Sequence, residues 1–312
     1  MLHGMDLYKE ARAFPYSLRG RAKLLTAELI ERVGVSATAT RWHTNKGRLV
    51  RVCRGVYLLA DEPPDLLDRV RAMLVGCPRG SAAGFHTAAA LQGFGVPEDA
   101  DIHIVVPKGC VIPRRRGLRV HESALPFTAV RTLGVPSTPP ARTAIDLARS
   151  LDRVAALAVL DASLFAGVSS VSGLGAEVVR HACLPGARQA RELVALADGR
   201  AECKQETHLR LILHDAGLRG FVPQVEVFDP ESTSTYAEFR LDLADPGHLV
   251  AAEYDGISHT RGRLRSDRKR HNRLSELGWL MRYFTDDDLY RNPGGIVASL
   301  HKAVARTFVT ME

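Results

Sequence analysis

Three carboxylates in the last third of the chain, Asp242, Glu253 and Asp255, are spaced as a cation site would need them. Glu253 and Asp255 stand two apart at the end of a mostly apolar run, His248 to Asp255, and on a strand such residues project from one face. Asp242 lies in the preceding alternating run, Glu238 to Leu243, and the turn Asp245-Pro246-Gly247 would fold the two runs together. Carboxylates gathered at one sheet edge repel each other unless a cation sits among them. Mg²⁺, or Mn²⁺ in its place, is the expected ion, because it takes few carboxylates, several waters and phosphate oxygens. Such an ion would activate water and stabilise the leaving oxygen in phosphodiester hydrolysis. Taken singly, each acid has a plainer reading: Asp255-Gly256 ends a strand, and Asp242 pairs with Arg240.

The surrounding elements follow from apolar periodicity and its punctuation. A helix is predicted over Glu206 to His214, then strands over Val222 to Phe228, Glu238 to Leu243 and His248 to Asp255. A basic helix, Arg265 to Leu277, a strand, Trp279 to Phe284, and a final helix capped by Thr285 complete the order α-β-β-β-α-β-α. Asp286, Asp287 and Asp288 in the first turn of that last helix suit its dipole.

The N-terminal segment carries a second chemistry. Thr26 can cap one helix, Gly34 ends it, and Ser36 can cap another that runs to about Lys46. This second helix bears Thr38, Thr40, Arg41, His43, Asn45 and Lys46, side chains suited to base edges and phosphates. Two short strands carrying Arg51 and Arg54 follow, joined at Arg54-Gly55. Helix, helix and basic hairpin make a winged helix, whose second helix enters the major groove, so DNA is the expected partner. The competing reading is a small helical motif used for protein contacts.

Between these lies an α/β stretch with helices over Leu66 to Val75, Ser81 to Leu91, Arg142 to Leu151 and Arg153 to Phe165. Strands over Ile102 to Val106 and Leu118 to His121 are joined by a loop holding Arg114, Arg115 and Arg116, a hairpin tip or a phosphate contact. His103 and His121 could face each other across these strands, and as two ligands are too few for a metal they read as structural. Val168 to Gly175 and Pro185-Gly186 read as breaks. The expected organisation is mixed α/β: a winged helix over 1–64, an α/β domain over 65–200 and a second α/β domain over 201–312.

Bulk composition fits this picture. With 46% hydrophobic and 25% charged residues the chain is globular, and a net charge of +7 favours a polyanionic partner. Five scattered cysteines without a Cys-x-x-Cys pair point to neither disulfides nor a zinc knuckle. No apolar run approaches the ~20 residues that cross a bilayer, and Met1 to Arg21 lack a signal-peptide core, so no membrane association and a cytoplasmic location are expected.

Two resemblances sharpen the reading. Leu49-Val50-Arg51-Val52-Cys53-Arg54-Gly55-Val56-Tyr57, with Gly84-Phe85-His86-Thr87-Ala88-Ala89-Ala90-Leu91 and Pro140 to Ala148, resembles the AbiEi-type antitoxins. That implies a transcriptional repressor with a toxin or defence-system partner. Glu206 to Arg210, Phe239-Arg240-Leu241-Asp242, Glu253-Tyr254-Asp255-Gly256 with His259, and Asp267 to Arg282 resemble the Vsr-like branch of the PD-(D/E)XK (restriction-endonuclease-like) fold. The second resemblance implies that Asp242 and Glu253 are metal ligands, that Glu206 is the helical acid before the sheet, and that His259 is a general acid or base. Arg268 and Arg270 would then hold the scissile phosphate. One departure stands out: Asp255 occupies the position where that fold carries a catalytic lysine, so that it either joins the metal site or marks a weakened one. Two functions follow: a Mg²⁺-dependent DNA endonuclease or nickase targeted by its winged helix, or an AbiEi-type regulator whose nuclease fold only grips DNA. Acids facing phosphate repel it, which favours chemistry; an RNA-directed nuclease is a third reading.

Overall fold

The computed structural model describes residues 22–32, 34–60, 64–95, 99–232, 236–256 and 261–309. They form two compact units, Met1–Leu147 and Ala148–Glu312.

The first unit opens with β1 (Ala22–Thr26), α1 (Ala27–Arg32), α2 (Ala37–Asn45) and the hairpin of β2 (Val50–Cys53) and β3 (Val56–Ala60). β3 pairs antiparallel with both neighbours, in the order β1-β3-β2. Local chemistry sets these boundaries. Thr26 Oγ1 accepts from the Leu29 N–H at 3.2 Å and Ser36 Oγ from the Ala39 N–H at 3.2 Å. Each bond satisfies a donor that the helix's own ladder leaves orphaned. Gly55, at a φ of +77°, supplies the left-handed residue of the hairpin turn. Leu25, Ile30, Val35 and Leu49 form the small core beneath. This is the helix, helix, hairpin order read from the sequence, with β1 added at its edge.

The same unit continues with α3 (Leu66–Leu74), β4 (Ala82–Ala83), α4 (Phe85–Gln92), β5 (Ile102–Val106), β6 (Leu118–Glu122), β7 (Val130–Thr132) and β8 (Val135–Ser137). The strands form a mixed sheet in the order β6-β5-β4-β8-β7. Every residue of β5 is buried, with Ile102, Ile104 and Val106 packed together with Val70 and Met73 of α3. Two expectations are corrected here. Ser81 to Leu91 is not one helix: β4 comes first, and the chain turns at Gly84-Phe85, with Phe85 at a φ of +48°. A Cβ on Gly84 would lie 2.3 Å from Val105 Cγ2, so glycine lets the start of α4 rest on β5. Second, β5 and β6 are parallel, with Val105 opposite His121. The loop between them is therefore a crossover and not a hairpin tip. Its Arg115 Nη1 donates to the carbonyls of Met73 (3.1 Å) and Val75 (3.0 Å), at the end of α3.

The division between units falls inside α5 (Pro140–Ser150). The second unit holds α6 (Arg153–Phe165), α7 (Val171–Arg180), α8 (Ala187–Val194) and α9 (Lys204–Asp215). The break read at Pro185-Gly186 is a turn between α7 and α8, whereas Val171 to Gly175, read as part of a turn region, is the start of α7. The glycines of α7 weaken its intrinsic propensity, but burial of Leu174 and Val178 overrides it. The predicted boundary near residue 200 is bridged by buried Asp161 of α6. Its carboxylate accepts from the Asp198 N–H (2.8 Å), Thr207 Oγ1 (2.7 Å) and Arg210 Nη2 (2.5 Å).

There follow β9 (Val222–Val227), β10 (Phe239–Asp245), β11 (Val250–Tyr254), α10 (Arg261–Glu276), β12 (Leu280–Phe284), α11 (Asp286–Arg291) and α12 (Pro293–Val309). Sheet order is β12-β11-β10-β9, antiparallel except for the parallel pair β11 and β12 that α10 connects. Both sheet faces are covered, which is why β11 is apolar without alternation. Val250 and Ala252 pack with Leu209, Leu213, Ile296 and Leu300 of α9 and α12, while Ala251 packs with Leu274 of α10. The predicted order of elements is observed, with the last helix divided at Asn292-Pro293. Among the described residues no helix is long and apolar enough to cross a membrane, and the five cysteines are free.

Asp161→Ala would leave the Arg210 guanidinium, itself largely buried, without its counter-charge. Such a loss costs about 3–5 kcal/mol, which denaturant unfolding of the full chain should register as a lowered midpoint.

Candidate functional site

On α2 the cap at Ser36 sets the helix phase, and that phase sorts the residues expected to meet DNA. Thr38, Arg41 and Asn45 fall on one face and are exposed, as are Lys46, Arg51 of β2 and Arg54 of the hairpin turn. Arg41, Asn45 and Arg51, with Ser36, Thr44 and Tyr57, line a cavity of about 630 Å³. One acid, Glu31, shares that lining. His43 is buried at 5% exposure, and Thr40, at 6%, lines the same cavity from a buried position, so neither is exposed to read a base edge. Thr40 Oγ1 donates to the Ser36 carbonyl at 3.1 Å, and burial pushes the His43 imidazole below its ordinary pKa. Trp42, which the residue pattern did not single out, is 48% exposed and carries the Arg48 guanidinium 5.1 Å from its ring centroid. A tryptophan within a helix otherwise rich in hydrogen-bonding side chains was the available signal.

In the second unit, Glu206 of α9, Asp242 of β10 and Glu253 of β11 come together. Asp242 is half-buried, and its Oδ2 accepts from the Tyr254 N–H at 3.2 Å. Burial, then the charges of Glu206 and Glu253, push its carboxyl up to about 7. Glu206 is buried and accepts from the Glu202 N–H (3.0 Å) and Gln224 Nε2 (3.1 Å). Glu253 is buried and held by a bidentate pair, with Arg270 Nη1 and Nη2 each 2.6 Å from one carboxylate oxygen. The same Arg270 donates to the Arg240 carbonyl at 2.8 Å. The Arg240 side chain pairs with Glu202 rather than with Asp242.

Asp255 does not join them. Asp255 follows the last residue of β11, its N–H donating to the Phe284 carbonyl at 2.8 Å, and its side chain is exposed. Among the described residues, Asp242, Glu253 and Asp255 do not form a group of three ligand atoms within 4.8 Å of one another; only His86, Asp99 and His103 do. Arg270 occupies both oxygens of Glu253 and supplies the positive charge an ion would have brought, so these acids as arranged do not fit Mg²⁺. Arg268 is exposed on α10, free of the acid cluster, and His259 lies outside the described residues.

A family model described as the AbiEi antitoxin C-terminal domain matches residues 81–198, and one described as transcriptional regulator, AbiEi antitoxin, matches residues 16–60. Two Mycobacterium tuberculosis proteins, uncharacterized protein Rv2248 of strain H37Rv and uncharacterized protein MT2308 of strain CDC 1551, are each similar to this chain. Both are 37% identical to it over 262 residues, covering 83% of this chain and 94% of theirs. The crystal structure of RV2827C protein from Mycobacterium tuberculosis is similar at 16% identity and a TM-score of 0.45, over 66% of this chain and 80% of that one.

The raised Asp242 carboxyl has a measurable consequence. Unfolded, Asp242 titrates near its ordinary 3.8; folded, near 7. Between those values the folded state binds the extra proton, so stability falls as pH rises from about 4 to 7 and is level above that. Asp242→Asn keeps an acceptor for the Tyr254 N–H and removes the titration. Urea unfolding in chelator should show the variant more stable than wild type at pH 8, by on the order of 2–4 kcal/mol, and nearly equal at pH 4.

Proposed function

Because this chain belongs to the family of the two mycobacterial proteins and carries both AbiEi antitoxin regions, we propose that it is a DNA-binding transcriptional regulator of the AbiEi type. The observation that carries this reading is the exposed stripe Thr38-Arg41-Asn45 on α2, beside the exposed arginines Arg51 and Arg54 of the hairpin. A major groove about 12 Å wide admits a single helix. Asn45 can present both a donor and an acceptor to a base edge, whereas Arg41 can span two acceptors of a guanine or grip phosphate. Lys46, Arg51 and Arg54 flank the helix and would fix its register through backbone phosphates, which carry affinity without sequence information. The net charge of +7 adds to the attraction. A toxin or defence-system protein is the second expected partner, through the region that matches the antitoxin domain.

In this reading the acid cluster of the second unit is a neutralised structural core. Glu253 is paired with Arg270, and Asp242 is the group that gives way to a proton. A cleavage reaction at these acids would first have to free Glu253 from Arg270.

The test is DNA binding by fluorescence anisotropy across a salt series. Arg41→Ala and Arg51→Ala should each weaken binding, and each phosphate left unneutralised should flatten the log–log salt slope by about 0.9. Unchanged affinity and slope in both variants would sink the assignment. Incubation with supercoiled plasmid and Mg²⁺ or Mn²⁺ should leave the DNA uncut. Nicking that disappears in Asp242→Ala and Glu253→Ala would instead establish the nuclease reading.

A further inference from the structure

The geometry points to a divalent transition-metal site, of the class that binds Zn²⁺, formed by His86, Asp99 and His103, with His121 orienting His103. One ligand atom from each of the three lies within 4.8 Å of the other two. The residues come from separate places: His86 from the first turn of α4, Asp99 from the segment before β5, and His103 from β5 itself. Gly84 lets α4 rest on β5, and the left-handed Phe85 aims the following residue over the strand. A left-handed conformation at a non-glycine residue is the kind of backbone cost that gathers at functional sites.

Three features suit a metal better than a merely packed cluster. His86 Nδ1 is buried with no hydrogen-bond partner, a rare condition for a polar atom. Asp99 is oriented for coordination: Oδ1 accepts from the Asp101 N–H at 2.9 Å, which turns Oδ2 toward His103 Nε2 at 3.0 Å, the contact a shared ion would replace. On its other side His103 Nδ1 lies 3.0 Å from His121 Nε2. That is the arrangement in which an outer partner fixes the tautomer of a ligating imidazole. His121 is in turn clamped by Phe85, whose ring stacks on it at 3.8 Å and 19°.

Protons balance across the change. Without metal, His103 Nε2–H donates to Asp99 and Nδ1 accepts from His121 Nε2–H. A metal on Nε2 needs its lone pair, so the His103 proton moves to Nδ1 and donates to His121 Nε2, whose own proton moves to Nδ1. No proton is gained or lost. The opposing group is Arg119, whose guanidinium lies 3.8 Å from Asp99 and 3.5 Å from Asp101. Its side chain is more than half exposed and can swing to water. Two imidazoles and one carboxylate favour zinc-class ions over Mg²⁺ or Ca²⁺, which prefer all-oxygen shells. Bonds of about 2.0–2.1 Å require only small side-chain adjustments from the present spacing, and a water would complete a tetrahedron.

The test uses the full chain, stripped with chelator, titrated with Zn²⁺ by calorimetry and with Co²⁺ by visible spectroscopy. One ion per chain should bind, with the d–d bands of four-coordinate cobalt and a rise in melting temperature. His86→Ala and Asp99→Asn should weaken binding at least tenfold, and His121→Phe by about 10–100-fold. Asp242→Asn should bind as wild type does. Asp99 is 21% exposed outside any helix or strand, so Asp99→Asn keeps the test decisive even where a histidine variant fails to fold. Absence of stoichiometric binding in the wild type would overturn the site, as would full binding by Asp99→Asn or loss of binding in Asp242→Asn.

Discussion

A carboxylate taken out of water must find either a positive partner or a proton, and much of this structure follows from how its buried acids meet that demand. Glu253 sits inside the second unit because Arg270 closes on both of its oxygens. Asp161 is tolerated because Arg210, Thr207 and the Asp198 amide converge on it. In the first unit Arg142 and Asp146 form a buried pair at 2.6 Å. Asp242 has no such cation to itself and shares its surroundings with two other acids, so it takes the remaining course and holds its proton up to about 7.

These pairings bear directly on function. A pair buried in low dielectric is strongly coupled, and breaking it costs far more than breaking a surface pair. Arg270 is therefore not idle decoration on a basic helix. It fixes α10 against β11 and neutralises the acid that an ion would otherwise use. The AbiEi regions lie at 16–60 and 81–198, and in the first of them the exposed cations of α2 and the β2–β3 hairpin face solvent. The regulatory reading gains support from those exposed cations. Histidines answer the same demand differently around Asp99: burial keeps them neutral, and a neutral imidazole is a ligand.

The sequence alone determined what depends on near neighbours. The caps at Thr26 and Ser36, the left-handed Gly55 and the α-β-β-β-α-β order of the second unit rest on hydrogen bonds and periodicities a few residues long, and all are present. So is the meeting of His103 and His121, because alternation on paired strands brings them together in either direction. Tertiary structure decided which distant group answers each demand. Thr40 and His43 are polar by type yet buried, since packing beneath α2 determines which of its polar faces meets solvent. Glycine weakens α7 locally, but the burial of Leu174 and Val178 supplies what propensity lacks. The parallel pairing of β5 and β6, the closing of Arg270 on Glu253, the exclusion of Asp255 and the approach of His86 and Asp99 to His103 all join residues far apart along the chain. Residue type announces that such groups need partners; only packing selects among the partners available.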